Sequence, residues 1–164
     1  ALYYKDVRKF GKMRVVDAEA IRAKHTKEFD SLHFDYDIKA HFNYLKEKVN
    51  KDSPICKVLL DQKRFPGVGN YIKCEILYAA KTHPERKWGD LSDKKIKDIL
   101  VQSQDIMQRS YKTGGAELKD FKNPFHTSEF KLKIYGQKFD PEGNKVISQT
   151  TKDQRRSWWS KVQK

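Results

Sequence analysis

The chain has 164 residues, with 35 Lys and Arg against 22 Asp and Glu, so its formal charge is +13 and 35% of its residues are charged. That length suits one domain or a small domain with an appendage, and no apolar stretch approaches the roughly 18 to 20 residues of a membrane span. Two cysteines exclude a disulfide framework and favour a reducing compartment, while the basic balance points to a polyanionic partner, nucleic acid first, or else to a solvated Lys-rich surface.

Residues 1–16 alternate around Gly11 in a strand-like way, and Leu2-Tyr3-Tyr4 would pair with Met13-Arg14-Val15-Val16 as a hairpin. A lone hairpin is not stable, and nothing in the next hundred residues offers it a sheet. The chain is therefore expected to begin inside a larger fold. The middle reads as helical. Asp37-Ile38 opens a helix to about Val49, with Ile38, Phe42 and Leu45 on one face. Ser53 followed by Pro54 predicts a cap with proline at the first helical position, and a helix ending near Gln62. A turn rich in glycine comes next, Lys63-Arg64-Phe65-Pro66-Gly67-Val68-Gly69-Asn70. The helix after it has Ile72, Ile76, Leu77 and Ala80 on its apolar face, and Thr82-His83-Pro84 ends it. Ser92 is expected to cap a longer helix through about Tyr111, stopped by Thr113-Gly114-Gly115. Beyond residue 129, Phe130, Leu132 and Ile134 alternate with lysines as a strand would. Asp140-Pro141-Glu142-Gly143-Asn144 reads as a turn, and Val146-Ile147 and Arg156-Ser157-Trp158-Trp159 as further short strands.

The helix–turn–helix around Gly67 and Gly69 carries the most chemistry. Glycines allow positive φ and close backbone approach, and the helix opening at Asn70 presents unpaired N–H groups that suit a phosphate. The plainer alternative is a tight turn with Asn70 as its cap. Asp61 reads as helix structure, and Glu75 as support for the glycine-rich turn. The five histidines, at 25, 33, 41, 83 and 126, show no metal spacing and read as surface or core residues.

Leu59-Leu60-Asp61-Gln62 through Pro66-Gly67-Val68-Gly69-Asn70-Tyr71 resembles the helix–two-turn–helix (H2TH) signature of the formamidopyrimidine-DNA glycosylase and endonuclease VIII family. Three other blocks match that family in order. Asp6-Val7-Arg8-Lys9-Phe10-Gly11 resembles the strand closing its N-terminal domain. Gly114-Gly115-Ala116-Glu117-Leu118-Lys119-Asp120-Phe121 resembles its link to the C-terminal part. Residues 130–137, with Gln154-Arg155 and Trp158-Trp159, resemble its zinc-finger hairpin. The resemblance implies a mainly α-helical H2TH domain with a C-terminal antiparallel β-hairpin. It divides the chain into 1–16, a remnant of an N-terminal β-sandwich; 17–128, the helical DNA-binding domain; and 129–164, the finger.

The resemblance also implies an activity. The family removes oxidised bases with an N-terminal proline nucleophile beside a glutamate and then cuts the backbone by β/δ-elimination. This chain begins Ala1-Leu2-Tyr3, so it holds no catalytic residue of that kind. It is expected to be the C-terminal portion of a longer enzyme and inactive alone. By the same resemblance, Asn70, Gly67, Gly69 and Arg155 would hold the phosphate beside the flipped nucleotide, with Arg156 next to the last. Lys63 and Arg64 would reach the backbone, and Arg8 and Phe10 would fill the void left by the flipped base. The positions matching the zinc ligands read Asp140, Gly143 or Asn144, Ser160 and Gln163, so a zincless finger with no cofactor is expected, held by strand pairing and aromatic packing. The implied partner is damaged double- or single-stranded DNA, met by a monomer in the nucleus or cytoplasm and away from membranes. The competing reading is a basic DNA- or RNA-binding module without chemistry.

Overall fold

The structure, a computed structural model, describes residues 14–19, 29–116 and 130–164. Residues 1–13 of the expected N-terminal hairpin, with Arg8 and Phe10, lie outside the described residues, as do residues 117–121 of the link and His25 and His126; residues 14–16, expected as the second strand, are exposed and form no strand.

Helix α1 spans Ile38–Lys48. Asp37 caps it by accepting the N–H groups of Lys39 and Ala40 at 2.7 and 3.2 Å, and Lys46 and Lys48 sit in the last turn, where cations suit the helix dipole. Helix α2 is Ile55–Leu60, shorter than the sequence suggests. Pro54 is not its first helical residue. It is extended, at φ −68° and ψ 142°, and bridges Lys87, while the Ser53 carbonyl accepts the Trp88 N–H. That tertiary pairing displaces the start by one residue. Helix α3 is Asn70–Ala79. After a short 3-10 turn at Trp88–Asp90 comes α4, Asp93–Lys112, capped by Ser92 as expected.

The main core gathers Leu45, Ile55, Leu59, Ile76, Ile99 and Leu100, all 0 or 1% exposed, between α1 and the α3–α4 pair. Every residue of α3 from Ile72 to Tyr78 is buried. A helix buried all round lies between two layers. Ile72, Ile76 and Leu77 face the main core, while Cys74 and Tyr78 join Ile134 in a smaller cluster against the finger.

The finger is built on β1, Ile147–Thr150, and β2, Arg156–Trp159, paired antiparallel with Ile147 opposite Trp159 and Thr150 opposite Arg156. Trp158 packs on Tyr135 with ring centroids 4.3 Å apart, and Trp159 meets the edge of His83. The strand expected over 130–134 does not form. The N–H groups of Lys133, Ile134 and Tyr135 all donate to the Glu75 carboxylate, at 3.0, 3.0 and 2.9 Å, so the donors a ladder would need are taken. The same contact corrects the expected role of Glu75. It anchors the finger rather than the glycine-rich turn.

Candidate nucleic-acid interface

The turn between α2 and α3 is organised by Gln62, a side chain whose part in it no sequence pattern announces. Gln62 donates from Nε2 to the Leu60 and Val68 carbonyls and accepts the Gly67 N–H at 3.0 Å. Gly67 adopts φ +78°, which favours glycine; a Cβ there would stand 2.9 Å from Met107 Cε, the flexible end of a side chain that can move aside. Gly69 differs. It is extended, at φ −98° and ψ −177°, and a Cβ would meet nothing within 4 Å. The fold makes no demand for glycine there, and the space before the helix is open.

Gly69 is the N-terminal cap of α3, and no side chain caps the helix, so no capping group takes up its first-turn N–H groups. Asn70 Nδ2 donates to the Arg156 carbonyl at 2.9 Å. This bond ties the helix N-terminus to the start of β2, one residue from Arg155. The loop between the strands is closed by Thr151 N–H on the Arg155 carbonyl at 3.0 Å, with Gln154 at φ +61°. Arg155 and Arg156 are both exposed. The structure therefore brings Asn70, Gly69 and Arg155 to one place.

The other predicted residues sort by their bonds. Lys63 is exposed. The Arg64 guanidinium is turned inward, bonded to the Asp61 carboxylate and the Lys48 carbonyl. His41, 1% exposed, donates from Nε2 to the Arg64 carbonyl, and its Nδ1 accepts from the Tyr36 hydroxyl, both at 2.8 Å. A carbonyl can only accept, which fixes the neutral tautomer. Burial pushes its pKa down to about 4.

The four positions matched to zinc ligands meet in space. Asp140 accepts from the Ser160 hydroxyl at 2.7 Å and from the Asn144 N–H at 2.8 Å, with the Asn144 side-chain amide at 3.0 Å. Gln163 accepts the Ser160 N–H and donates to the Thr82 carbonyl at 3.0 Å. Burial pushes the Asp140 carboxyl up, but the bonds from Ser160 and Asn144 outweigh it and hold it below the ordinary carboxylate value. Among the described residues, no three His, Cys, Asp or Glu side chains form a group that fits a metal ion.

Lys73 reaches from α3 into the strand loop. Its ammonium, fully buried, bonds Asp153 at 2.5 Å and the Ser157 hydroxyl at 2.8 Å. A charge on an otherwise buried helix was the available sequence signal, but its partner lies 80 residues away.

Residues 30–122 match the family described as the formamidopyrimidine-DNA glycosylase H2TH domain, and the chain belongs to that family. The formamidopyrimidine-DNA glycosylase of Exiguobacterium sibiricum is 35% identical over 141 residues, covering 83% of this chain and 50% of that protein. The Zymomonas mobilis enzyme of the same name is 38% identical over 100 residues, covering 57% of this chain and 36% of that one. The chain thus spans about half or less of the length of these relatives. Among solved structures, the Lactococcus lactis Fpg in complex with abasic-site DNA superposes with a TM-score of 0.81 at 24% identity, covering 96% of this chain and 59% of that one. A viral DNA glycosylase gives 0.73 at 24% identity, covering 89% and 54%. These likenesses show the H2TH-and-finger fold.

Proposed function

We propose that this chain is the DNA-gripping part of a base-excision DNA glycosylase that is also an AP lyase. The observation carrying the reading is the Asn70–Arg156 bond, which joins an uncapped helix N-terminus to an exposed arginine loop. Backbone N–H groups and a guanidinium fork together suit one phosphate, the first by dipole and donors, the second by two parallel bonds. Such a grip beside the lesion would hold a nucleotide while its base leaves the stack. Arg8 and Phe10 would enter the gap, Arg8 bonding the orphaned base and Phe10 wedging the stack. Lys63 extends the backbone contact, and Arg64 shapes the turn beneath it. An amine nucleophile of the whole protein would then form a Schiff base with the sugar, followed by elimination.

The finger would keep its shape without zinc. The bonds among Asp140, Asn144, Ser160 and Gln163 support this, since they link both ends of the finger where a metal would otherwise tie them. The partner is damaged DNA, double- or single-stranded, and the complexes described for the L. lactis neighbours, with abasic-site and Fapy-dG DNA, support damaged DNA as the partner.

Borohydride trapping by the full-length protein on a duplex with one oxidised base or abasic site tests the reading. A covalent adduct, with tighter binding to the damaged than to the undamaged duplex, is expected. Equal affinity for both duplexes and no adduct would remove the repair assignment and leave a basic binding module.

A further inference from the structure

We infer that Lys73 is a positioning residue whose buried ion pair with Asp153 sets the direction of Arg155. The inference rests on the reading of Arg155 as a phosphate ligand. Lys73 cannot touch DNA itself, because its side chain is 0% exposed and its ammonium is turned to Asp153 Oδ2 and Ser157 Oγ. The other Asp153 oxygen accepts the Thr151 hydroxyl at 2.6 Å and the Arg155 N–H at 3.2 Å. Thr151 in turn meets Ser157 Oγ at 2.7 Å and holds the Arg155 carbonyl with its N–H. Both peptide groups of Arg155 are thus fixed by loop residues that Lys73 fixes. Among the described residues the bonds of Arg155 are those of its N–H and carbonyl, and these set where its exposed side chain leaves the loop.

The choice of residues fits aiming better than stabilising. A buried ion pair adds little stability over an apolar pair of the same volume, since desolvation offsets the attraction. It does fix geometry, because each charge accepts only a directed partner. Lys73 also lies on α3, whose N-terminus supplies the other half of the phosphate grip. One rigid helix therefore sets both halves.

The test measures binding of the full-length protein to a duplex with one abasic-site analogue, across a series of salt concentrations. Four proteins are compared with the parent: Lys73→Met, Lys73→Met/Asp153→Ala, Arg155→Ala, and the double Lys73/Asp153 change combined with Arg155→Ala. The Lys73→Met/Asp153→Ala protein leaves no unpaired buried charge, so it carries the test if Lys73→Met fails to fold. Affinity is expected to fall about tenfold when Lys73 is lost, and the salt slope by about one, as for one lost phosphate contact. In the Arg155→Ala background the same change should cost nothing further. A purely structural Lys73 would give the same loss in both backgrounds and leave the slope alone, which would overturn the inference, as would parent-like affinity. If Arg155→Ala alone binds like the parent, the phosphate reading itself fails and the inference goes with it.

Discussion

Gly67 and Gly69 look alike in the sequence, but their surroundings give them different roles. Gly67→Ala puts a Cβ on a residue at φ +78°, with Met107 Cε having to move aside, so a loss of about 1–2 kcal/mol in urea unfolding is expected from the backbone strain. Gly69→Ala meets open space in an extended conformation, so stability should hold or rise by up to about 1 kcal/mol through the unfolded chain. DNA affinity should nevertheless fall, because the methyl occupies the approach to the helix N-terminus. Unchanged affinity would mean that nothing approaches there. His41 carries the clearest pH signature. Its folded pKa of about 4 lies below the unfolded value of about 6.5, so the unfolded chain binds the proton first. Stability should be full above pH 6.5 and fall as pH drops towards 4, by up to about 3 kcal/mol. Urea midpoints at pH 7 and 4.5 would show it, and a flat profile would mean that the imidazole titrates normally.

Among the elements, the finger depends on α3. Three backbone N–H groups converge on Glu75, 4% exposed, and Glu75→Gln replaces an accepting oxygen with a donor facing them. A loss of about 1.5–3 kcal/mol is expected, measured by urea unfolding. The hydrogen-bonded cluster around Asp140 and Ser160 predicts that a chelator leaves the melting temperature unchanged. A fall restored by zinc would reveal a metal site instead. The helices were legible because caps and periodicity are local: Asp37, Ser92 and the Gly114 stop all lie where their helices need them. The segment at 130–134 was not legible as irregular, because its donors go to a carboxylate 58 to 60 residues earlier. Lys73 was hidden for the same reason. Sequence spacing shows a lone cation on a helix, and only the fold supplies Asp153.

At the scale of the whole molecule, the charge of +13 is displayed unevenly. On the finger, Lys131, Lys133, Lys138, Lys145, Lys152 and Lys161 are exposed, while Asp140 is buried, Asp153 is paired with Lys73 and Glu142 is an exposed acid among them. Affinity for DNA should therefore fall linearly with salt on a log–log scale, with a slope near −0.9 per phosphate contacted. The family was legible from four short blocks, of which two converge on one surface; the block containing Arg8 and Phe10 lies outside the described residues. The central claim is that Arg155 and the α3 N-terminus take one phosphate. Its most direct test is the affinity of Arg155→Ala and Arg156→Ala proteins for an abasic-site duplex. Arg155→Ala should cost about 1–3 kcal/mol, a charged hydrogen bond's worth, and Arg156→Ala less than about 1 kcal/mol. Parent-like binding by Arg155→Ala would contradict the account.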